Sequence, residues 1–255
     1  MRAVADVVVA GAGAAGLATA HFLKRALPHA RILVVSRHAP FALTSSASTE
    51  CYRHYWSAPV MRAFMRRSAH LTEGLAGFSA ENEARIALAK TGYLYVHQAP
   101  SAAAANEECT LIQQPDLQTL YPWLSPECTH AVLAKNAGWL SAHGLGMSLL
   151  SSLQGSTMVG WDVAGVSGHE DRIQGVNVRN ASTGEQLHIS CGAFVNATGP
   201  LLSATHQAAV ASLSSAANVP LPVRNDVHAK VILHDVLGCV VLLLSRVTRR
   251  TSLTQ

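Results

Sequence analysis

Val7-Val8-Val9-Ala10-Gly11-Ala12-Gly13-Ala14-Ala15-Gly16-Leu17 decides the fold of this chain, because a β-branched run feeds directly into G-x-G-x-x-G at the first turn of a helix. Gly11 permits the tight turn off the strand, Gly13 lets the backbone approach a pyrophosphate with no Cβ in the way, and Gly16 lets the helix pack closely on the strand. Phosphates then meet the positive N-terminus of the helix. Leu17, Ala20, Leu23 and Leu27 recur at helical spacing until Pro28 ends the pattern, and Arg31-Ile32-Leu33-Val34-Val35 reads as a second, buried parallel strand. The N-terminus is therefore a complete βαβ unit carrying a dinucleotide fingerprint.

Which dinucleotide it takes stays open at this point. The residue closing the second strand normally carries a carboxylate for the adenosine ribose hydroxyls, about 20 residues after the last glycine. Here that position is Ser36, followed by Arg37 and His38. A serine–arginine pair suits a 2′-phosphate, hence NADP and a reductase. Alternatively, Ser36 makes a weaker ribose hydrogen bond and Arg37 is a solvated loop cation.

Composition narrows the class. A chain of 255 residues with 49% hydrophobic content can bury a sizeable core, in one large or two modest domains. A net charge of +4, with 13% charged residues and dispersed cations, is not a nucleic-acid footprint. The 5 cysteines are odd in number and form no C-x-x-C pair, which argues against a disulfide framework or a zinc site and for an intracellular reducing compartment. None of the 13 histidines forms an H-x-x-x-H pair, so no metal site is expected. Met1 to Asp6 runs at once into a core strand, leaving no room for a targeting segment, and the apolar run Cys239 to Leu244 is too short to span a bilayer.

After the βαβ unit, Thr44-Ser45-Ser46-Ala47-Ser48-Thr49-Glu50 offers hydroxyls and backbone N–H groups that suit a phosphate or a polyol, or else serve as local caps and turns. Pro59 opens a helix whose Met61, Phe64, Met65, Leu71 and Leu75 read as core packing, with Arg62, Arg66 and Arg67 as a solvated face. Gly92 to Val96 reads as a strand, Ser101 to Ala105 as a loop and Pro115 to Leu120 as a short helix. Met158 to Val166, Ile173 to Val178 and Leu187 to Val195 read as a three-stranded meander. Its last strand runs into Asn196-Ala197-Thr198-Gly199-Pro200, at a carboxyl end where open α/β sheets bind ligands.

Taken together these segments resemble the D-amino-acid oxidase-like superfamily of FAD-dependent oxidoreductases, which includes glycine, sarcosine and D-amino-acid oxidases and dehydrogenases. The resemblance rests on the order and spacing of Gly11 to Gly16, Thr44-Ser45-Ser46, Gly92-Tyr93-Leu94, Gly138-Trp139-Leu140, Asp162-Val163 and Phe194 to Pro200, and covers about residues 5 to 238. It implies an α/β fold: a Rossmann-like FAD-binding domain, residues 1–60 and 136–205, interrupted by an α+β substrate domain, residues 61–135. Residues 206–238 would begin a return into the substrate domain, and 239–255 match nothing expected, so that the fold reads as incomplete at its C-terminus.

The resemblance also assigns roles. Gly11, Gly13, Ala14, Ala15 and Gly16 would bind the FAD pyrophosphate, and Thr44, Ser45 and Ser46 would lie along the cofactor. Val163 would meet the adenine through its backbone, and Ala197, Thr198 and Gly199 would close over the dinucleotide. Ser36 and Arg37 stand at the ribose. These elements favour FAD over NADP. The implied chemistry is hydride transfer from the amine-bearing carbon of a small amine or amino acid to flavin N5, giving an imine that water hydrolyses. Arg53, in Cys51-Tyr52-Arg53-His54-Tyr55-Trp56, is the first choice for a substrate carboxylate, with a structural ion pair or a flavin-side contact as its alternatives. His54 is a minor possibility for covalent flavin attachment. A catalytically inactive nucleotide-binding fragment and an NADP-dependent reductase remain the competing readings, and on its own this chain is expected to have little amine-oxidising activity.

Overall fold

The computed structural model describes residues 3–56, 58–97, 108–169, 172–211, 213 and 219–227. In chain order the N-terminal half holds β1 (Ala3–Val4), β2 (Val7–Ala10), α1 (Ala14–Ala26), β3 (Ile32–Ser36), β4 (Cys51–Arg53), α2 (Pro59–Ala76) and α3 (Ala80–Ile86). The middle adds β5 (Tyr93–His97), β6 (Cys109–Gln113), α4 (Asp116–Leu120), β7 (His130–Ala134), β8 (Ala137–Trp139) and α5 (Ala142–Ser151). Then follow β9 (Thr157–Val159), β10 (Trp161–His169), β11 (Arg172–Asn180), β12 (Gln186–Ser190), β13 (Ala193–Asn196) and α6 (Leu202–Val210). Residues 1–222 form one compact unit and 223–255 a second. In the second, Arg224 and Asp226 pair at 3.1 Å. The loop expected at Ser101 to Ala105 and the tail 239–255 lie outside the described residues.

A fully parallel sheet ordered β13-β2-β3-β9 is the centre of the first unit. Strand alternation sends the valines of β2 to opposite faces. Val7 and Val9 join Ile32, Val34, Leu17, Ala20, Leu149 and Leu153 under α1 and α5. Val8 and Val35 pack on Val166, Val176, Val178 and Ile189 of a second sheet, ordered β1-β12-β11-β10, together with Ala209 of α6. With both faces covered, β2 is buried at every position, which explains its continuous apolar run. Helix α1 begins directly at the glycine loop and ends with Lys24 and Arg25 in its last turn, where cations complement the helix dipole. A third sheet, β5-β7-β6, is antiparallel, and a short ribbon of β4 and β8 links the region of residues 51–53 to it through Ala137.

Several segments differ from the expectation. The run Met158 to Val166 is two strands, not one: β9 pairs with β3, the chain turns at Gly160, which has φ +86°, and β10 joins the other sheet. Leu187 to Val195 divides in the same way at Cys191-Gly192, sending β12 to the meander and β13 to the parallel sheet. Periodicity alone does not distinguish one long strand from two short ones in different sheets. The apolar face of α2 is not core packing along its length: Ala76 is buried at its C-terminal end, whereas Val60 is 80% and Phe64 65% exposed. Nor are its arginines simply solvated. Arg62 donates to the Trp56 carbonyl at 2.9 Å and Arg66 pairs with Glu108 at 2.7 Å. Among the described residues no helix is long and apolar enough to cross a membrane.

Leu17 is fully buried where α1 meets the sheet. Leu17→Ala is expected to cost about 3 kcal/mol through lost transfer energy plus a cavity, read as a lower urea midpoint with an unchanged slope.

Candidate functional site

The carboxyl ends of β13, β2 and β3 converge on the glycine loop. Gly11 leaves β2 at φ +105°, its N–H donating to the Val35 carbonyl at 2.8 Å. The Ala197 N–H donates to the Ala10 carbonyl at 2.8 Å, which lays residues 197–199 against the loop. A Cβ on Gly11 would fall on the Ala197 carbonyl, and one on Gly16 would fall on the Gly11 carbonyl. Both glycines are thus demanded by backbone packing. Gly13 differs, because its Cβ would meet only Ser45 Oγ, at 3.0 Å. The space beside Gly13 is a cradle of the kind a phosphate needs.

Electrostatics agree with that shape. The first amides of a helix have no acceptor within it, and the first turn of α1 carries no acidic residue. The Ala14 N–H donates to Ser45 Oγ at 3.0 Å, so the hydroxyl loop is docked on the helix N-terminus, while Ala14 and Ala15 stay exposed. Thr44 Oγ1 lies 3.8 Å from where a Gly199 Cβ would stand, so the same loop also reaches the 197–199 turn. Ser46 is exposed and donates its hydroxyl to the Leu43 carbonyl at 2.8 Å. Thr198 donates its hydroxyl to Asn196 Oδ1 at 2.8 Å, and Asn196 Nδ2 donates to the Leu202 carbonyl at 3.0 Å, which fixes the turn before α6. A cleft of about 160 Å³ opens from Ala14 and Ser45 past Ser48, Glu50 and Cys51 to Ala142. The residues present fit a dinucleotide pyrophosphate.

At the end of β3, Ser36 donates its hydroxyl to the His38 carbonyl at 2.8 Å. Arg37 is exposed and carries an acidic partner. Its Nε lies 2.6 and 2.7 Å from the two carboxylate oxygens of Asp162, and this partner holds the guanidinium pKa above its ordinary value. Val163 packs on the core, and a register shift between Val163 and Gly165 interrupts the ladder at that point.

Arg53, on β4, is held by aromatic rings. Its guanidinium carbon lies 5.2 Å from the Trp56 ring centre, 5.4 Å from Tyr93 and 5.9 Å from Tyr95, within cation–π range. Tyr93 and Tyr95 share one face of the β5-β7-β6 sheet, and Tyr55 completes the cluster 4.9 Å from Tyr95. Among the described residues no carboxylate pairs with Arg53. Burial pushes the Tyr95 phenol up to about 12, against the opposing pull of Arg53. His54 points elsewhere and is 2% exposed. Its Nδ1 donates to the Asn136 carbonyl at 2.7 Å, and its Nε2 stands 3.2 Å from Glu108, the partner of Arg66. This ties residue 54 into the link between β4 and the third sheet.

The Arg37–Asp162 pair and the aromatic cage carry no local sequence signature, since their members are 125 and about 40 residues apart. Glu50 is another residue without one. It takes φ 59° and its carboxylate accepts the Ala142 N–H at 3.0 Å, capping α5 from 92 residues away.

With the geometry in hand, the comparisons with known proteins agree. The family model described as DAO, FAD dependent oxidoreductase, matches residues 6–232. The chain belongs to this family of FAD-dependent oxidoreductases. No curated protein matches the sequence. Among solved structures, glycine oxidase from Bacillus cereus ATCC 14579 superposes with a TM-score of 0.61 at 18% identity, over 81% of this chain and 57% of that one. L-proline dehydrogenase from P. horikoshii gives 0.65 at 17%, over 83% and 56%. NikD, an amino acid oxidase essential for nikkomycin biosynthesis, gives 0.60 at 19%, over 83% and 54%. At these identities the likeness is one of fold, and the chain spans somewhat more than half the length of each.

The raised phenol has a measurable consequence. Because the folded pKa of Tyr95 lies above the free value of about 10, its contribution is fully present below about pH 10 and is lost as pH rises toward about 12. The urea midpoint is expected to fall over that window, and Tyr95→Phe to reduce the fall.

Proposed function

We propose that this chain binds FAD across the carboxyl edge of its parallel sheet and carries part of an amine- or amino-acid-oxidising site, in which Arg53 holds the substrate carboxylate. The observation that carries the reading is the convergence of three separated segments, Gly11–Gly16, Thr44–Ser46 and Ala197–Gly199, on one helix N-terminus. In this reading the Ala15 amide and the space at Gly13 hold the pyrophosphate, Ala14 keeps the hydroxyl loop in place through Ser45, that loop follows the cofactor, and the Val163 backbone meets the adenine. The Asp162 carboxylate held on Arg37 Nε counts against NADP, because it sets like charge beside a 2′-phosphate.

When bound, the flavin supplies the two-electron acceptor for the hydride leaving the amine-bearing carbon, and water then hydrolyses the resulting imine. The protein's own work is orientation and desolvation. Arg53 presents a planar fork that matches a carboxylate, and the Trp56, Tyr93 and Tyr95 rings that stack on it fix its direction and exclude water from one side. Fixing the carboxylate fixes the adjacent carbon, and a near-attack geometry is a large part of such a barrier.

Two measurements test this. Gly13→Val is expected to abolish FAD binding in a flavin-fluorescence titration while leaving the fold intact by circular dichroism, because a Cβ at Gly13 meets only the Ser45 hydroxyl, whereas one at Gly11 or Gly16 would meet backbone. Unchanged binding would overturn the assignment of the loop. Arg53→Lys is expected to leave FAD affinity unchanged but to weaken binding of a small aromatic carboxylate, seen as a perturbed flavin spectrum of the loaded chain, by about 10- to 100-fold. An unaltered carboxylate titration would remove Arg53 from the substrate site.

A further inference from the structure

We propose that Asp162 supplies the carboxylate that recognises the adenosine ribose hydroxyls of the bound dinucleotide, the role for which β3 ends without an acid. This rests on the FAD reading above and goes beyond it by assigning a binding residue from outside the fingerprint.

The argument starts at the strand end. In a dinucleotide-binding βαβ unit the ribose hydroxyls lie beside the residue that closes the second strand, and they donate to an acidic side chain there. In this chain that residue is Ser36, whose only proton is already given to the His38 carbonyl. A serine oxygen can still accept, but it brings neither the charge nor the two-oxygen geometry that a vicinal diol matches.

The fold brings a carboxylate to the same corner by another route. Ser36 pairs with Val159 at the edge of the parallel sheet, and the Gly160 N–H donates to the Ser36 carbonyl at 2.8 Å. The positive φ at Gly160 turns the chain out of that sheet, and Asp162 follows two residues later. Trp161 and Val163 pack into the core beneath, so alternation directs the Asp162 side chain the other way. There it meets Arg37, the residue after Ser36, at 2.6 Å.

Arg37 makes this carboxylate suitable rather than consuming it. A carboxylate has about four lone-pair sites, and Arg37 approaches it through Nε alone. The Asp162 side chain remains 30% exposed. The remaining cation near it is Arg179, its cross-strand partner on β11, which is exposed. The Arg37 contact holds the carboxylate in one orientation, so its free lone pairs are directed acceptors. A carboxylate held here also sets like charge beside any 2′-phosphate, so one residue both receives the ribose and disfavours NADP.

The test separates ribose recognition from a structural role. Calorimetric titration compares FAD with an FAD analogue built on 2′,3′-dideoxyadenosine, for the unsubstituted chain and for Asp162→Asn and Arg37→Ala. The unsubstituted chain is expected to prefer FAD over the analogue by about 10-fold, as for hydrogen bonds to a charged group. Asp162→Asn should lose most of that preference by weakening FAD and leaving the analogue within about twofold. Arg37→Ala should retain the preference, because the carboxylate remains. If Asp162→Asn weakens both ligands equally, or changes neither, the assignment is overturned, and so it is if Arg37→Ala alone erases the preference. Absence of FAD binding by the unsubstituted chain would refute the FAD reading itself, and this is seen before any substitution is made.

Discussion

Everything in this site depends on a contact between backbones. The Gly11 carbonyl sits where a side chain on Gly16 would have to be, and the Ala197 carbonyl sits where one on Gly11 would have to be. Three chain segments, separated by up to about 180 residues, thereby approach to the distance of main-chain packing. No side-chain interaction could bring them so near, because any Cβ at these positions would hold the helix off the strand. The helix N-terminus, with its unsatisfied amides and positive dipole end, is thus presented at the carboxyl edge of the sheet. The hydroxyl loop can then dock on it through Ser45.

Around this fixed point the two sheets divide the work. The parallel sheet carries the glycine loop and is buried on both faces, by helices on one side and by the mixed β1-β12-β11-β10 sheet on the other. The β5-β7-β6 sheet carries Tyr93 and Tyr95 and so determines where Arg53 is held. The ribbon of β4 and β8 connects the two regions. Glu50, immediately before β4, caps α5, and His54, immediately after it, is wedged between Asn136 and Glu108. A cation stacked on three rings between two such anchors loses little further entropy when it meets an anion.

Charge placement follows the same economy. The first turn of α1 is free of acids, and the Asp162 carboxylate beside the end of β3 is paired with Arg37. An anionic pyrophosphate therefore meets dipoles and amides rather than like charge.

The sequence by itself determined the βαβ unit, the turn at Gly11 and the close approach of helix to strand at Gly16. Each of these depends on neighbours within about 20 residues and on rules of backbone sterics that hold whatever surrounds them. It also carried the family resemblance, through the order of motifs along the chain. Only the tertiary structure decided that 158–166 and 187–195 are each divided between two sheets, since an apolar run is equally satisfied by either. It alone decided that the face of α2 with Val60 and Phe64 stays exposed, because amphipathic spacing says which residues share a face and not what will cover it. The partners of Arg37, Arg53 and Glu50 were likewise invisible in the sequence. An ion pair or a ring stack has no period and no fixed spacing, and it exists only once distant strands have been set side by side.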